Sequence, residues 1–205
     1  MNSRITFWTG SLLVMILAVS ISPAKADTIT FDQTNTGLPE GSSFQNIQVF
    51  SPIGQSFTPT LASLNFVDLL TATTGSASPF TLEVEIRSGS ISGTILGVSQ
   101  PTMVTPPSAT STIVTPFTFS MPVTLVPSDL YVIQVLAISG DALVGSSGIN
   151  NYPGGTQILG GIAQPNNDLW FQEGISVPEP GELLMLVTGL IGLLTFAFVK
   201  NRWSY

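Results

Sequence analysis

The segment Phe80-Thr-Leu-Glu-Val-Glu-Ile-Arg87 decides the fold. Apolar and polar residues alternate along it, so Leu82, Val84 and Ile86 fall on one face of an extended strand and the polar residues on the other. A second run, Leu130-Tyr-Val-Ile-Gln-Val-Leu-Ala-Ile138, is apolar on both faces apart from Gln134, which is typical of a covered central strand. Together the two segments predict a β-sheet with a buried face.

Further strands are predicted where β-branched and aromatic residues stand between Gly, Pro, Ser and Thr: Thr28–Asp32, Gln48–Phe50, Gln55–Thr58, Leu64–Leu70, Ile95–Ser99, Ile113–Phe119 and Asp168–Gln172. Pro116 and Pro122 are expected at strand ends or on an edge strand, because proline has no N–H to donate. Ser99–Thr112 is expected to be a long loop. No segment between residues 27 and 176 has the period and caps of an amphipathic helix. The middle of the chain is therefore predicted to be all-β, a single antiparallel β-sandwich of the jelly-roll type.

Charge and composition exclude several classes of function. Between Asp27 and Ser176, Arg87 is the only basic residue, against ten acidic ones, so nucleic acid is not an expected partner. The acidic residues are scattered, which is typical of a solubilising surface. The 205 residues include no His and no Cys, which removes Ser-His-Asp and Cys-His catalysis and the commonest zinc ligands. This composition favours a protein that is not an enzyme.

Residues 1–26 have the three parts of a secretory signal peptide. Arg4 gives a weakly positive start, Leu12–Val19 is the apolar core, and Ala24-Lys-Ala26 provides small residues at the −3 and −1 positions of a signal peptidase site. The apolar core is shorter than the about 20 residues that span a bilayer. Cleavage is therefore predicted after Ala26, with the mature chain beginning at Asp27.

A second membrane signal is predicted at the other end, in residues 177–205. Val177-Pro-Glu-Pro180 and a short spacer precede an apolar run at 183–199, which as a helix is about 26 Å long at ~1.5 Å per residue. Lys200 and Arg202 follow it, and positive flanks remain in the cytoplasm. The run is predicted to be a transmembrane helix that places the β-domain, residues 27–176, outside.

The order of Pro178-Glu179-Pro180, apolar helix and basic tail resembles the PEP-CTERM sorting signal of bacteria that produce exopolysaccharides. The resemblance implies that Pro178, Glu179 and Pro180 are recognised by an exosortase, a multi-pass membrane enzyme that processes its substrate near this motif. It also implies a Gram-negative-type cell, with retention in the inner membrane before delivery to the cell surface or extracellular matrix. The tail departs from the pattern in carrying only two basic residues. An ordinary single-span anchor with a prolyl stalk is the alternative.

Several short segments in the middle of the chain are similar to the jelly-roll ectodomains of anchored bacterial surface proteins. They are Gly54-Gln-Ser-Phe-Thr58, Ser92-Gly-Thr-Ile-Leu-Gly97, Val123–Ile133, and the segment from Tyr152-Pro-Gly-Gly155 to Asp168-Leu-Trp-Phe171. This similarity implies a fold and no activity.

Two groups of residues are candidates for ligand binding. Tyr152 and Trp170 are amphipathic rings on which a sugar could stack, although packing in the domain is the more common role of such rings. Asp27, Asp32 and Asp168 could meet at a structural calcium ion if the first and last strands pair, since calcium prefers carboxylate and carbonyl oxygens. No other cofactor is expected.

Glu83 and Glu85 are the only close pair of carboxylates. Their Cα atoms are ~6.6–6.8 Å apart on a strand, which invites comparison with the two carboxyl groups of a glycosidase. Their position on the polar face beside Arg87 favours a surface role instead. The sequence thus predicts an exported, non-enzymatic surface or matrix protein associated with exopolysaccharide or biofilm. A carbohydrate-binding module is the first alternative, and an envelope glycoside hydrolase the second.

Overall fold

The computed structural model describes residues 27–37, 43–147 and 152–178. The described residues form strands, turns and loops, and none belongs to an α-helix or to a helix able to cross a membrane. Asp27–Pro178 forms one compact unit. The predicted signal peptide with Ala24 and Ala26, residues Glu179 and Pro180, and the predicted helix 183–199 all lie outside the described residues.

Fourteen strands, arranged in two antiparallel sheets, are formed by the described residues. The first sheet contains β1 (Asp27–Asn35), β2 (Ser43–Asn46), β4 (Ser63–Thr73), β8 (Thr112–Thr124), β10 (Ala142–Ser147), β13 (Asp168–Leu169) and β14 (Phe171–Pro178). The second contains β3 (Ile53–Phe57), β5 (Phe80–Ser88), β6 (Ile95–Val98), β7 (Thr102–Val104), β9 (Tyr131–Ser139), β11 (Gln157–Leu159) and β12 (Ile162–Gln164). This confirms the all-β prediction.

The chain crosses repeatedly from one sheet to the other. The first sheet has the order β1-β14-β4-β10-β13, with β8 beside β4 and β2 beside β10. The second has the order β12-β11-β3-β9-β5-β6, with β7 beside β5. The first and last strands are neighbours, and Asp27 stands opposite Pro178. Both ends of the compact unit therefore lie at the same edge of the first sheet.

A shared apolar core lies between the inward faces of the two sheets. Leu82, Val84 and Ile86 of β5 are fully buried, as the alternation predicted, and β9 lies between β3 and β5 as a central strand. From the first sheet, Leu69 and Phe117 enter the same core. Burying side chains of this size stabilises the fold by about 1.5–3 kcal/mol each. The two layers give the domain a β-sandwich-like arrangement.

The two prolines of β8 occupy an edge strand, as expected. Among the described strands β8 pairs only with β4, so Pro116 and Pro122 remove no hydrogen bond from a sheet interior. Gln100 donates its backbone N–H to Thr118 O at 2.9 Å, and Thr102 Oγ1 donates to Pro116 O. The second sheet therefore partly covers this edge.

Gln48–Phe50 was predicted as a strand and is a turn. Asn46 causes the difference, because its Oδ1 accepts the backbone N–H of Val49 at 2.9 Å while its backbone oxygen accepts that of Phe50 at 3.1 Å. Asn side chains commonly replace strand pairing with such local bonds. Ile47 then enters the core, and Val49 stays exposed.

The predicted strand Asp168–Gln172 is divided at Trp170. Leu169 pairs with β10, whereas Phe171 pairs with β4, so the chain changes partner between them. At the junction Trp170 N donates to Gly145 O at 2.9 Å. The strand then continues to Pro178, two residues beyond the predicted end of the domain. The first proline of the predicted sorting motif is therefore the last residue of a paired strand.

Candidate functional site

Tyr152 and Trp170, the predicted sugar contacts, are both buried. The Tyr152 ring packs edge-on against Phe171 with ring centroids 5.1 Å apart, and its side chain is only 4% exposed. Trp170 is 8% exposed and donates its Nε1–H to Thr36 O at 2.6 Å. Neither ring presents a face to solvent, so neither provides the exposed platform that stacking on a sugar requires.

The three predicted calcium ligands are not brought together. The first and last strands do pair, as that prediction required, but Asp32 lies five residues after Asp27 along the same strand, ~16 Å away. Asp168 is fully buried, and its carboxylate accepts Gln55 Nε2–H and the Tyr152 backbone N–H, each at 3.0 Å. Within the described ranges, no group of three or more carboxylates is arranged to hold a metal ion.

Glu83 and Glu85 lie on β5, and Glu85 is held in an ion pair. Arg87 Nη2 lies 2.5 Å from Glu85 Oε2, and its Nη1 donates to Gly93 O at 3.0 Å. Glu85 is mostly buried, so this face is less open to water than the sequence suggested. The arginine anchors the loop after β5 to the strand.

Glu173, which the sequence did not single out, is the most unusual ionisable residue in the domain. It lies on β14, points between the sheets and is fully buried. Its Oε1 accepts the Gln33 backbone N–H at 3.1 Å, whereas Oε2 has no hydrogen-bond partner among the described residues. Burial, first, and then the negative charge of Asp32 raise the pKa of Glu173 to about 8, against the opposing effect of the Gln33 N–H. Glu173 is therefore mostly protonated at neutral pH.

Asp32, the neighbour of Glu173, remains charged. Its oxygens accept the backbone N–H groups of Thr60 at 2.8 Å and Leu61 at 2.9 Å, the Thr60 hydroxyl, and Gln33 Nε2–H at 3.1 Å. Burial acts to raise the pKa of Asp32, but these hydrogen bonds outweigh it and lower the pKa below its ordinary value. The side chain of Asp32 also acts on Glu173 at short range, which raises the pKa of Glu173 further.

Tyr152 is connected to the acid pair, Asp32 and Glu173, through Gln33. Its hydroxyl donates to Gln33 Oε1 at 3.0 Å and accepts the Thr58 backbone N–H at 3.1 Å. Burial raises the pKa of Tyr152 to about 12, with the Thr58 N–H opposing and the charge of Glu173 adding to the rise. The phenol thus stays neutral and joins β1 to the loops after β3 and before β11.

A second set of buried polar groups links the two sheets beside the acid pair. Gln55 of β3 accepts the Leu169 backbone N–H from the first sheet at 2.7 Å. Asn35 of β1 donates to Leu169 O at 2.8 Å within the first sheet. Ser146 of β10 donates to Gln157 Oε1 of β11 at 2.9 Å. Inter-sheet bonds of this kind fix the register of a sandwich, because a one-residue slip leaves buried polar groups unpaired.

The buried polar cluster consists of Asp32, Glu173, Tyr152 and the polar groups bonded to them. It can hold a proton and join strands, but its carboxyl groups do not line an open cleft. The inward alternation of Phe171, Glu173 and Ile175 was the one signal in the sequence that could have revealed it. Comparison with protein-family models and with curated proteins gives no match for this chain.

Proposed function

We propose that this chain is an exported, non-enzymatic protein of the cell surface or extracellular matrix, with a jelly-roll domain sorted by an exosortase. In this proposal signal peptidase cleaves after Ala26, the helix 183–199 holds the chain in the inner membrane, and Pro178-Glu179-Pro180 is recognised for processing. One observation carries the proposal. The compact unit, Asp27–Pro178, begins and ends where the sequence predicts these two processing events.

The position of the two ends supports this pathway. Asp27 and Pro178 stand opposite each other on paired strands, and the described core and strand pairs lie between them along the chain. Removing the residues before Asp27 and those after the sorting motif therefore leaves every described pairing intact. Processing beyond the ends of these paired strands needs no unfolding of the domain.

The topology and charge of the domain agree with the other parts of the proposal. Repeated crossing between the sheets, with the first and last strands adjacent, is the pattern of Greek-key sandwiches and favours the jelly roll. An acidic, Ser- and Thr-rich surface suits a hydrated polysaccharide matrix that is neutral or weakly charged. The closed acid pair and the Glu85–Arg87 ion pair have structural roles, which supports a non-enzymatic function.

A fractionation experiment in the host tests the sorting step. Wild-type protein is expected in the surface or extracellular fraction, whereas Glu179→Ala is expected to stay with the inner membrane. Glu182→Ala removes the other acidic residue before the apolar run and serves as the matched control. Equal distribution of the three proteins between fractions would mean that the exosortase does not recognise the Pro178-Glu179-Pro180 motif and that the tail is a plain anchor.

Carbohydrate binding is the second candidate function, at a different place from the one predicted. A depression of about 540 Å³ lies at the end of the sandwich where Gln48, Ser76, Ser139 and Asp141 converge. Amide, hydroxyl and carboxylate groups are those that bond to sugar hydroxyls. Retention on polysaccharide affinity gels that Asp141→Ala abolishes, and Asp129→Ala does not, would support this function. No retention on any gel would remove it.

The glycoside hydrolase alternative has an equally direct test. Release of reducing sugar by the purified protein, lost in Glu83→Gln, would overturn the non-enzymatic proposal.

A further inference from the structure

Two edge strands of the first sheet, β8 and β1, differ in how they are protected. At one edge, β8 carries Pro116 and Pro122, and residues of the second sheet bond to it. At the other edge lies β1, which has no proline, and in the described part of the chain the only strand paired with it is β14. Edge strands without such protection are sites for pairing with another strand.

The outer face of β1 is apolar as well as open. Ile29 is 53% exposed and Phe31 is 48% exposed. Phe31 packs edge-on against Phe66 of β4, with ring centroids 5.7 Å apart, across the position of Gly174 between them. Because the contact with Phe66 holds the ring in place, Phe31 forms a fixed apolar surface beside the edge rather than a loose side chain.

The sequence of this edge is complementary to itself. When two copies of β1 pair antiparallel about Thr30, Ile29 of each stands opposite Phe31 of the other, on the same face. Aromatic residues paired with β-branched residues across strands stabilise sheets by roughly 0.2–1 kcal/mol each. No charged residue lies in 29–31, and the nearest carboxylate, that of Asp32, is bonded to Thr60 and Leu61.

The extent of the chain also favours a second copy as the occupant. Cleavage after Ala26, as predicted, leaves nothing before Asp27 to lie along this edge. The chain after Pro178 continues from β14, which already occupies the opposite side of β1. Retention by a membrane helix would hold the copies in one plane and raise their effective concentration.

We propose that the edge of β1 opposite β14 is a self-association surface, at which two copies pair antiparallel about Thr30 and join their first sheets into one. This inference goes beyond the proposed function. It rests on the signal-peptide cleavage after Ala26 in that proposal, and it does not depend on exosortase processing. It gives a surface protein a means of linking neighbouring molecules through backbone hydrogen bonds.

The absence of cysteine from the chain makes a disulfide test specific. Two Thr30 residues facing each other would have Cα atoms ~4.5–5.5 Å apart, within the range of a disulfide. Full-length Thr30→Cys, exported by its host, is expected to give a reducible species of twice the monomer mass. Val114→Cys, at an exposed position on β8, is the control and is expected to remain monomeric.

Four further variants test the register and the surface. Ile29→Cys and Phe31→Cys, expressed together with different tags, should cross-link to each other and not to themselves, because identical positions lie ~7–8 Å apart on the diagonal. Ile29→Lys added to Thr30→Cys should abolish the dimer, whereas Val114→Lys added to it should not.

Three outcomes would overturn the proposal. They are the absence of a dimer from Thr30→Cys, an equal dimer fraction from Val114→Cys, and a reducible species of any mass other than twice the monomer. The last would identify a different protein as the occupant of the edge. Sorting can succeed or fail in the same cells without altering any of these results.

Discussion

Replacing Glu173 by Gln should make the domain less sensitive to alkaline pH. Folding raises the pKa of this carboxyl from 4.5 to about 8. Between these values the folded domain holds a proton that the unfolded chain has released, so stability falls as pH rises. At about 1.4 kcal/mol per pH unit, the loss across this window has an upper limit of about 5 kcal/mol.

The variant preserves the geometry while removing the titration. In Glu173→Gln an uncharged amide takes the place of the carboxyl group, and its Oε1 can still accept the Gln33 N–H. The variant should match the wild type within about 1 kcal/mol at pH 5 and exceed it by several kcal/mol at pH 9. Asp32 does not affect this comparison. Its pKa is lower in the folded domain than the value of 3.8 in the unfolded chain, so its contribution to stability is present above pH 3.8 and is lost only as the pH falls further.

Urea denaturation of the mature domain between pH 5 and pH 9 provides the measurement. Glu83→Gln, on the half-buried face of β5, controls for the loss of one negative charge. If the difference in unfolding free energy between Glu173→Gln and wild type were constant across this range, Glu173 would not carry the buried proton and the reasoning would be refuted.

Two further substitutions test single contacts. Tyr152→Phe keeps the ring packing but leaves a partly buried backbone N–H without its acceptor, which should cost about 1–3 kcal/mol in thermal or urea unfolding. Tyr131→Phe, which breaks one hydroxyl contact rather than two, should cost less, and the reverse order would contradict the assigned bonds. Gly174→Ala would place a Cβ 2.0 Å from Thr30 O, so we expect a loss of at least about 1–3 kcal/mol. Gly37→Ala, with nothing within 4 Å, should be tolerated, and equal stability of the two variants would disprove the close approach.

The long strands were predictable because their patterns need little context. Alternation identified β5, continuous apolar character identified the central β9, and the prolines indicated that β8 is an edge. Short strands such as β11 and β12 contain too few residues to show a period. In β10, Gly145 and Ser146 are typical of a loop, yet Gly145 lies in the sheet, where a Cβ would come within 3.0 Å of Leu70 Cδ2.

The buried polar cluster was not predicted, for a different reason. Scattered acids were interpreted as a solubilising surface, which holds for exposed Asp129 and Asp141 but not for Asp168 or Glu173. Which face of a strand is buried depends on the strands beside it. The hydrogen-bond partner of Glu173 is Gln33, 140 positions away in the sequence, and no local sequence pattern predicts a contact over that separation.

The mass of the mature protein, isolated from its own host with and without the exosortase, tests the central proposal most directly. With the enzyme present we predict a chain that begins at Asp27 and has lost the residues beyond the Pro178-Glu179-Pro180 motif. Without the enzyme, the chain should begin at Asp27 and extend to Tyr205. An intact C-terminus in both strains would contradict exosortase sorting, and a chain that still began at Met1 would contradict export through the predicted signal peptide.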